Sequence, residues 1–296
     1  REVRMDIVAK AATYFGFALA LEAGVFQRFA YPVPPPAARR ALGWGLVLGG
    51  LLVAVGAVLD VAAVLDRVAR GRVDADLVRS YLTATRHGRA SLVRIGLALA
   101  VLGWGAWQAL TVARPQRAGH HGTDAAAHGA FIVFGLAWLA TAAWVGHSGA
   151  MGLGGALASL AHLVAVVAWA GALTWLAWLP VWPDGSRLAA AVTYVGRVGL
   201  AAVAVLAVSG LAMARLHLDP PSAIVSSAYG WALIAKLVLF AAVLSTAAVN
   251  RWRRVPRFVR GQRGPLLRAV RVESALLAAV VVATAVLATR APVHGG

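Results

Sequence analysis

Apolar and polar positions fall in long alternating blocks along this chain. Eight stretches are apolar over the roughly 20 residues that a membrane-spanning helix needs: residues 7–31, 42–65, 92–113, 129–146, 156–182, 192–216, 224–249 and 267–289. Short turn-rich linkers separate them, among them Pro32-Val33-Pro34-Pro35-Pro36, residues 149–155, Pro183-Asp184-Gly185-Ser186 and Asp219-Pro220-Pro221. Residues 74–87 (DADLVRSYLTATRH) differ, setting Leu77, Val78, Tyr81 and Leu82 at helical spacing between charges. That segment is too polar to span and predicts a short amphipathic helix at the interface. The pattern as a whole predicts an all-α fold, a polytopic membrane protein built as a bundle of eight transmembrane helices. It reads as a single integral membrane domain over residues 1–296, with a three-helix part in 1–125 and a five-helix core in 126–296.

Composition agrees with that class. Of 296 residues, 60% are hydrophobic and 13% charged, with a mean hydropathy of +0.75, whereas soluble domains carry about 25% charge. A membrane β-barrel would show weaker segments of about ten alternating residues. The net charge of +17 would point to nucleic acid in a soluble protein. Here the arginines cluster in short inter-helix loops, where cytoplasmic retention of positive charge and anionic lipid headgroups account for them. Membrane lipid is therefore an expected partner and nucleic acid is not. The absence of cysteine excludes thiolate metal sites and redox dithiols. The chain opens Arg1-Glu2-Val3-Arg4, which reads as a processed start, and no separate signal peptide is visible.

Residues 251–271 hold eight arginines and no acid, the strongest cytoplasmic signal in the chain. With eight spans, this places both termini outside. The segment 67–94 then also falls outside, despite seven arginines, which Asp66, Asp74 and Asp76 offset.

Several ionisable residues fall within spans, where a lone charge costs at least a few kcal/mol. Counting along the helices puts Glu22 and Lys236 near mid-membrane. Arg197 and Glu273 fall roughly 10 Å from the cytoplasmic side, and Asp60 and Arg94 in the outer third. Matching depths predict three pairs that hold the helices in register, with a proton or ion path through Glu22 as the functional alternative.

No Lys, Arg, Asp or Glu occurs in the 55 residues from 129 to 183, yet His147 and His162 do. On this topology His147 ends the fourth span outside with Met151 four residues on, and Met213 and His217 repeat that spacing at the outer end of the sixth. Residues four apart share a helix face. His162 lies about 10 Å deeper, in the fifth span. Imidazole with thioether and no thiolate suits copper, since Met favours Cu(I) and His accepts either oxidation state. The bland alternative is methionine as core filler and histidine as a hydrogen-bonded interface residue. His87 and His294 fall in an outer loop and a tail, and His120, His121 and His128 on the cytoplasmic side, as a solvated loop with an exit-side ligand cluster as the alternative. No Gly-rich phosphate loop precedes Lys10 or Lys236, and neither Gly-x-Ser-x-Gly nor His-Glu-x-x-His occurs, so no enzyme is expected.

The run GHSGAMGLGGALASLAHLVAVVAWAGAL, with His147, His162, Trp169 and Gly171, resembles the opening of the CopD (copper resistance protein D) core. The likeness continues through Arg197 in YVGRVGL, Ser209-Gly210, Tyr229-Gly230 with Lys236, Asn250-Arg251 before Pro256, and Glu273 with Pro292. It is good from 146 to 292 and looser earlier, in GVFQRF and TRHGRASLVRIGL. The resemblance implies an inner-membrane copper permease of bacteria, taking copper from a periplasmic carrier of the CopC type into the cytoplasm, with His147 and His162 as family positions. Some relatives are fused to such a carrier at the N-terminus; a separate carrier or a truncation is the expectation here. Met151, Met213 and His217 join the metal set from spacing alone. The alternative from another class is a haem b-binding membrane protein of the cytochrome b kind, with histidines of facing helices as axial ligands.

Overall fold

A computed structural model describes residues 2–31, 34–69, 73–111, 121–145, 151–179, 182, 185–217 and 223–289, without the side chains of 2, 121–128, 217, 223 and 263. The described residues are almost all helical and contain no strand. In chain order the helices are α1 (Glu2–Phe29), α2 (Pro36–Ala69), α3 (Ala75–Ala84), α4 (Arg86–Leu110), α5 (His121–Val145), α6 (Leu153–Trp178), α7 (Gly185–His217), α8 (Ala223–Ser226), α9 (Ala228–Val249), α10 (Val255–Val259) and α11 (Arg263–Leu287). Among the described residues seven helices are long and apolar enough to cross a membrane, and a shorter apolar one covers Gly129–Val145. The molecule is thus an all-α, multi-pass membrane bundle.

The spans outrun their apolar stretches. α2 starts at Pro36, where a missing N–H costs a helix nothing, and continues past the apolar run to Ala69. α9 does not stop at Val249 either. A π-helical turn, Asn250–Arg254, carries it into α10, and Gly261, at φ +97°, makes the turn back toward α11. Most of the arginine-rich segment read as a loop is therefore helix. The amphipathic segment 74–87 is confirmed in part: Asp74 caps α3 by accepting from the Leu77 N–H at 2.7 Å, but Thr85 ends it and caps α4 through the Gly88 N–H.

Cross-links between residues near helix ends show that neighbouring spans run antiparallel. Asp6, early in α1, meets Arg67, late in α2, at 2.7 Å. Arg94, early in α4, donates to Thr141, late in α5. The face where α1 starts is here called the amino-terminal face, and the opposite one, holding residues 250–263, the arginine face. α6 is the hub, packed against α1, α5, α7 and α11, while α2 packs against α1 and α4. Trp138 and Trp169 are wholly or almost wholly enclosed, and Trp138 stands edge-on to Phe17 at 5.0 Å. α9 packs chiefly on α11 and hardly touches α6 or α7. It reaches them through Phe240, edge-on to Trp169 at 6.2 Å, and through Arg251, whose guanidinium lies opposite Gly196. The backbone of α9 therefore stands apart from the α6–α7 pair, and side chains bridge the interval, called the groove below.

Candidate functional site

His162 stands at that groove. It follows the start of α6 by nine residues, and Ser209 precedes the end of α7 by eight, so antiparallel packing brings them to one depth, roughly 13 Å below the amino-terminal face. The His162 Nδ1 lies 3.0 Å from the Ser209 Oγ. Ser209 in turn donates to the Val205 carbonyl at 2.6 Å. A hydroxyl has one proton. Because the carbonyl takes it, the Ser209 oxygen is left to accept, and His162 must carry its proton on Nδ1. The opposite nitrogen, Nε2, keeps its lone pair and has no partner among the described residues. Metal-binding histidines are held in this way, the far N–H fixed by an acceptor and the near lone pair free. Gly210 follows Ser209, and a Cβ there would approach His162 to 3.7 Å. Lys236 of α9 lies near enough for its charge to act on His162.

Of the other residues assigned to the metal set, Met213 lies one turn beyond Ser209 on the same face of α7, half-buried, and nearer the amino-terminal face. Met151 is half-buried in the turn that leads into α6, just before Gly152 at φ +90°. His147 lies outside the described residues, as does the side chain of His217. No group of three or more His, Asp or Glu that would hold a metal occurs among the described residues.

The depth-matched charge pairs are not those the structure contains. Glu22, 2% exposed, accepts at 2.5 Å from the Tyr194 hydroxyl of α7 rather than from Lys236. Glu273 accepts at 2.5 Å from Asn250, which accepts in turn from Arg254 at 2.6 Å, while Arg197 is exposed. Asp60 forms an ion pair with Lys10 at 3.7 Å and lies 3.0 Å from the His87 Nε2. Arg94 acts on Asp60 only at a distance, its own hydrogen bonds going to Thr141. His87, placed in a loop by the sequence, belongs to the first turn of α4 and also meets the Tyr81 hydroxyl through Nδ1.

Residues 189–287 match the family model CopD, described as copper resistance protein D. The match supports placing the chain in the CopD family. It spans most of α7, all of α9 and α11, and so Ser209, Lys236, Asn250 and Glu273, and begins after α6 and His162. No curated protein and no solved structure matches the chain. The chain is thereby a multi-pass membrane protein related to copper resistance.

Proposed function

We propose that the protein carries copper across the bacterial inner membrane, along the groove between α9 and the α6–α7 pair. Copper is the cargo. It enters at the amino-terminal face past Met151, His147, Met213 and His217, is held briefly by the His162 Nε2, and leaves at the arginine face. The observation that carries this reading is the His162–Ser209–Val205 chain of hydrogen bonds, which leaves one unprotonated imidazole nitrogen free at a groove. The family match supports copper as the ion. Direction from periplasm to cytoplasm, and delivery by a separate carrier of the CopC type, follow from the same reading with the arginine face as the cytoplasmic one. Charge distribution supports that orientation: acids near the amino-terminal face pair with some of its basic residues, as in Asp6–Arg67 and Asp60–Lys10, whereas residues 251–271 hold eight arginines and no acid. No observation among the described residues favours the haem alternative.

The test is copper accumulation in cells beside thermal stability in detergent. Ser209→Ala, which removes only the group that fixes the imidazole, is expected to lower copper affinity about tenfold or more at a stability cost of about 1 kcal/mol. Unchanged copper affinity in a Ser209→Ala protein would contradict the role given to His162.

A further inference from the structure

Glu22 is the most enclosed carboxyl among the described residues, and nothing in the copper path requires it. It lies on α1 about two turns from the arginine face, in a contact made close by Gly171 of α6: a Cβ there would collide with the Ala18 carbonyl and the Glu22 side chain. The described charged and titratable groups nearest in depth are Arg39 on α2, Arg271 and Glu273 on α11, and Arg197 and Tyr194 on α7. α6 offers only Gly171, Thr174 and Trp175 there, and α5 presents Phe131 and Gly135. Of all these, Tyr194 alone interacts with the carboxyl electrostatically or by hydrogen bonding. Among the described residues no cation offsets its charge, so an anion there would rest on one hydroxyl donor in low dielectric.

Tyr194 has a second neighbour. Beside it, toward the arginine face, lies an open surface cavity of about 410 Å³ lined by Tyr194 and by the exposed Phe29, Ala190, Thr193 and Arg197. That volume has room for several waters. Arg197 brings a positive charge to it, and Tyr194, which lines it, is hydrogen-bonded through its hydroxyl to Glu22.

We propose that Glu22 is a proton-binding site that exchanges with the arginine face through this cavity, with Tyr194 as the boundary. When Glu22 ionises, its proton passes to water in the cavity and the Tyr194 O–H steadies the carboxylate left behind. Uptake reverses both steps, so charge and atoms balance with water as the only co-reactant. Gly171 keeps α6 close enough to exclude water from the other side, which makes the exchange one-sided. α7 carries Tyr194 toward one end and Ser209 toward the other, so a change at Glu22 and the setting of His162 act on the same helix.

Infrared difference spectra, acid minus alkaline, of the copper-free protein in lipid test this directly. The expected result is a protonated-carboxyl C=O band that is lost in Glu22→Gln and kept in Glu273→Gln. Tyr194→Phe should keep the band and move it to higher frequency, because the C=O loses its donor. Since Gln still accepts from Tyr194, Glu22→Gln should fold, and Tyr194→Phe supplies an independent reading if it does not. A spectrum with no Glu22-dependent band, or a band indifferent to Tyr194→Phe, overturns the proposal. Copper is absent from the measurement, so failure of the transport reading leaves its outcome untouched.

Discussion

Two regions of this bundle hold their ionisable groups in opposite ways. Toward the amino-terminal face, acids meet cations: Asp6 with Arg67, and Asp60 with Lys10. Deeper in the α6–α7–α11 half, they meet neutral groups instead: Glu22 with Tyr194, Glu273 with Asn250, and His162 with Ser209. An ion pair fixes the charge state of both partners. A carboxyl or imidazole with one neutral partner keeps the freedom to gain or lose a proton or to bind a cation. The first arrangement stabilises a fold, and the second is what a transport path requires.

The largest effect should come from filling the contact that holds the second region closed. Gly171→Val would drive α6 off α1, at a cost of about 3 kcal/mol or failure to fold, read as lost thermal stability in detergent. Next, the contrast itself can be broken by exchanging acids for amides. Asp60→Asn removes the countercharge of Lys10 and should cost about 2 kcal/mol, discounted from the value for a fully buried pair because Lys10 is partly exposed. Glu273→Gln keeps an oxygen for Asn250 and should cost under about 1 kcal/mol. Equal losses in these two variants would erase the distinction drawn between the regions. The smallest effect belongs to Arg197→Gln, within about 0.5 kcal/mol, because Arg197 is exposed and Glu273 is held by Asn250. A loss of several kcal/mol there, recovered by adding Glu273→Gln, would restore the pairing that depth alone suggests.

That failed pairing shows where reading the sequence stops. Spans were legible because an apolar run of about 20 residues matches the thickness of a bilayer's hydrocarbon core, and α3 because its apolar positions keep helical spacing among charges. Depth was legible from the rise per residue. Lateral position was not: α1 and α9, bearing Glu22 and Lys236, are not packed together, nor are α7 and α11, bearing Arg197 and Glu273. The partners actually used, Tyr194, Ser209 and Asn250, are neutral and so carry no charge pattern to search for. Ser209 and Asn250 did stand in the stretch that resembles CopD, which marked them without giving their roles. The π-helical turn at Asn250–Arg254 was hidden because arginines both favour helix and look like a solvated loop. Within the metal set, the structure supplies what spacing lacked for His162, an acceptor on the neighbouring helix that fixes its tautomer.

The most direct test of the account is copper accumulation in cells producing His162→Ala, measured beside the protein's abundance and melting temperature. Alanine is at home in α6, whose neighbouring positions include Ala158, Ala161 and Ala165. The account predicts normal abundance, a small loss of thermal stability and copper uptake reduced to the level of cells lacking the protein. Normal uptake at normal abundance would remove His162 from the path, and the proposed groove with it.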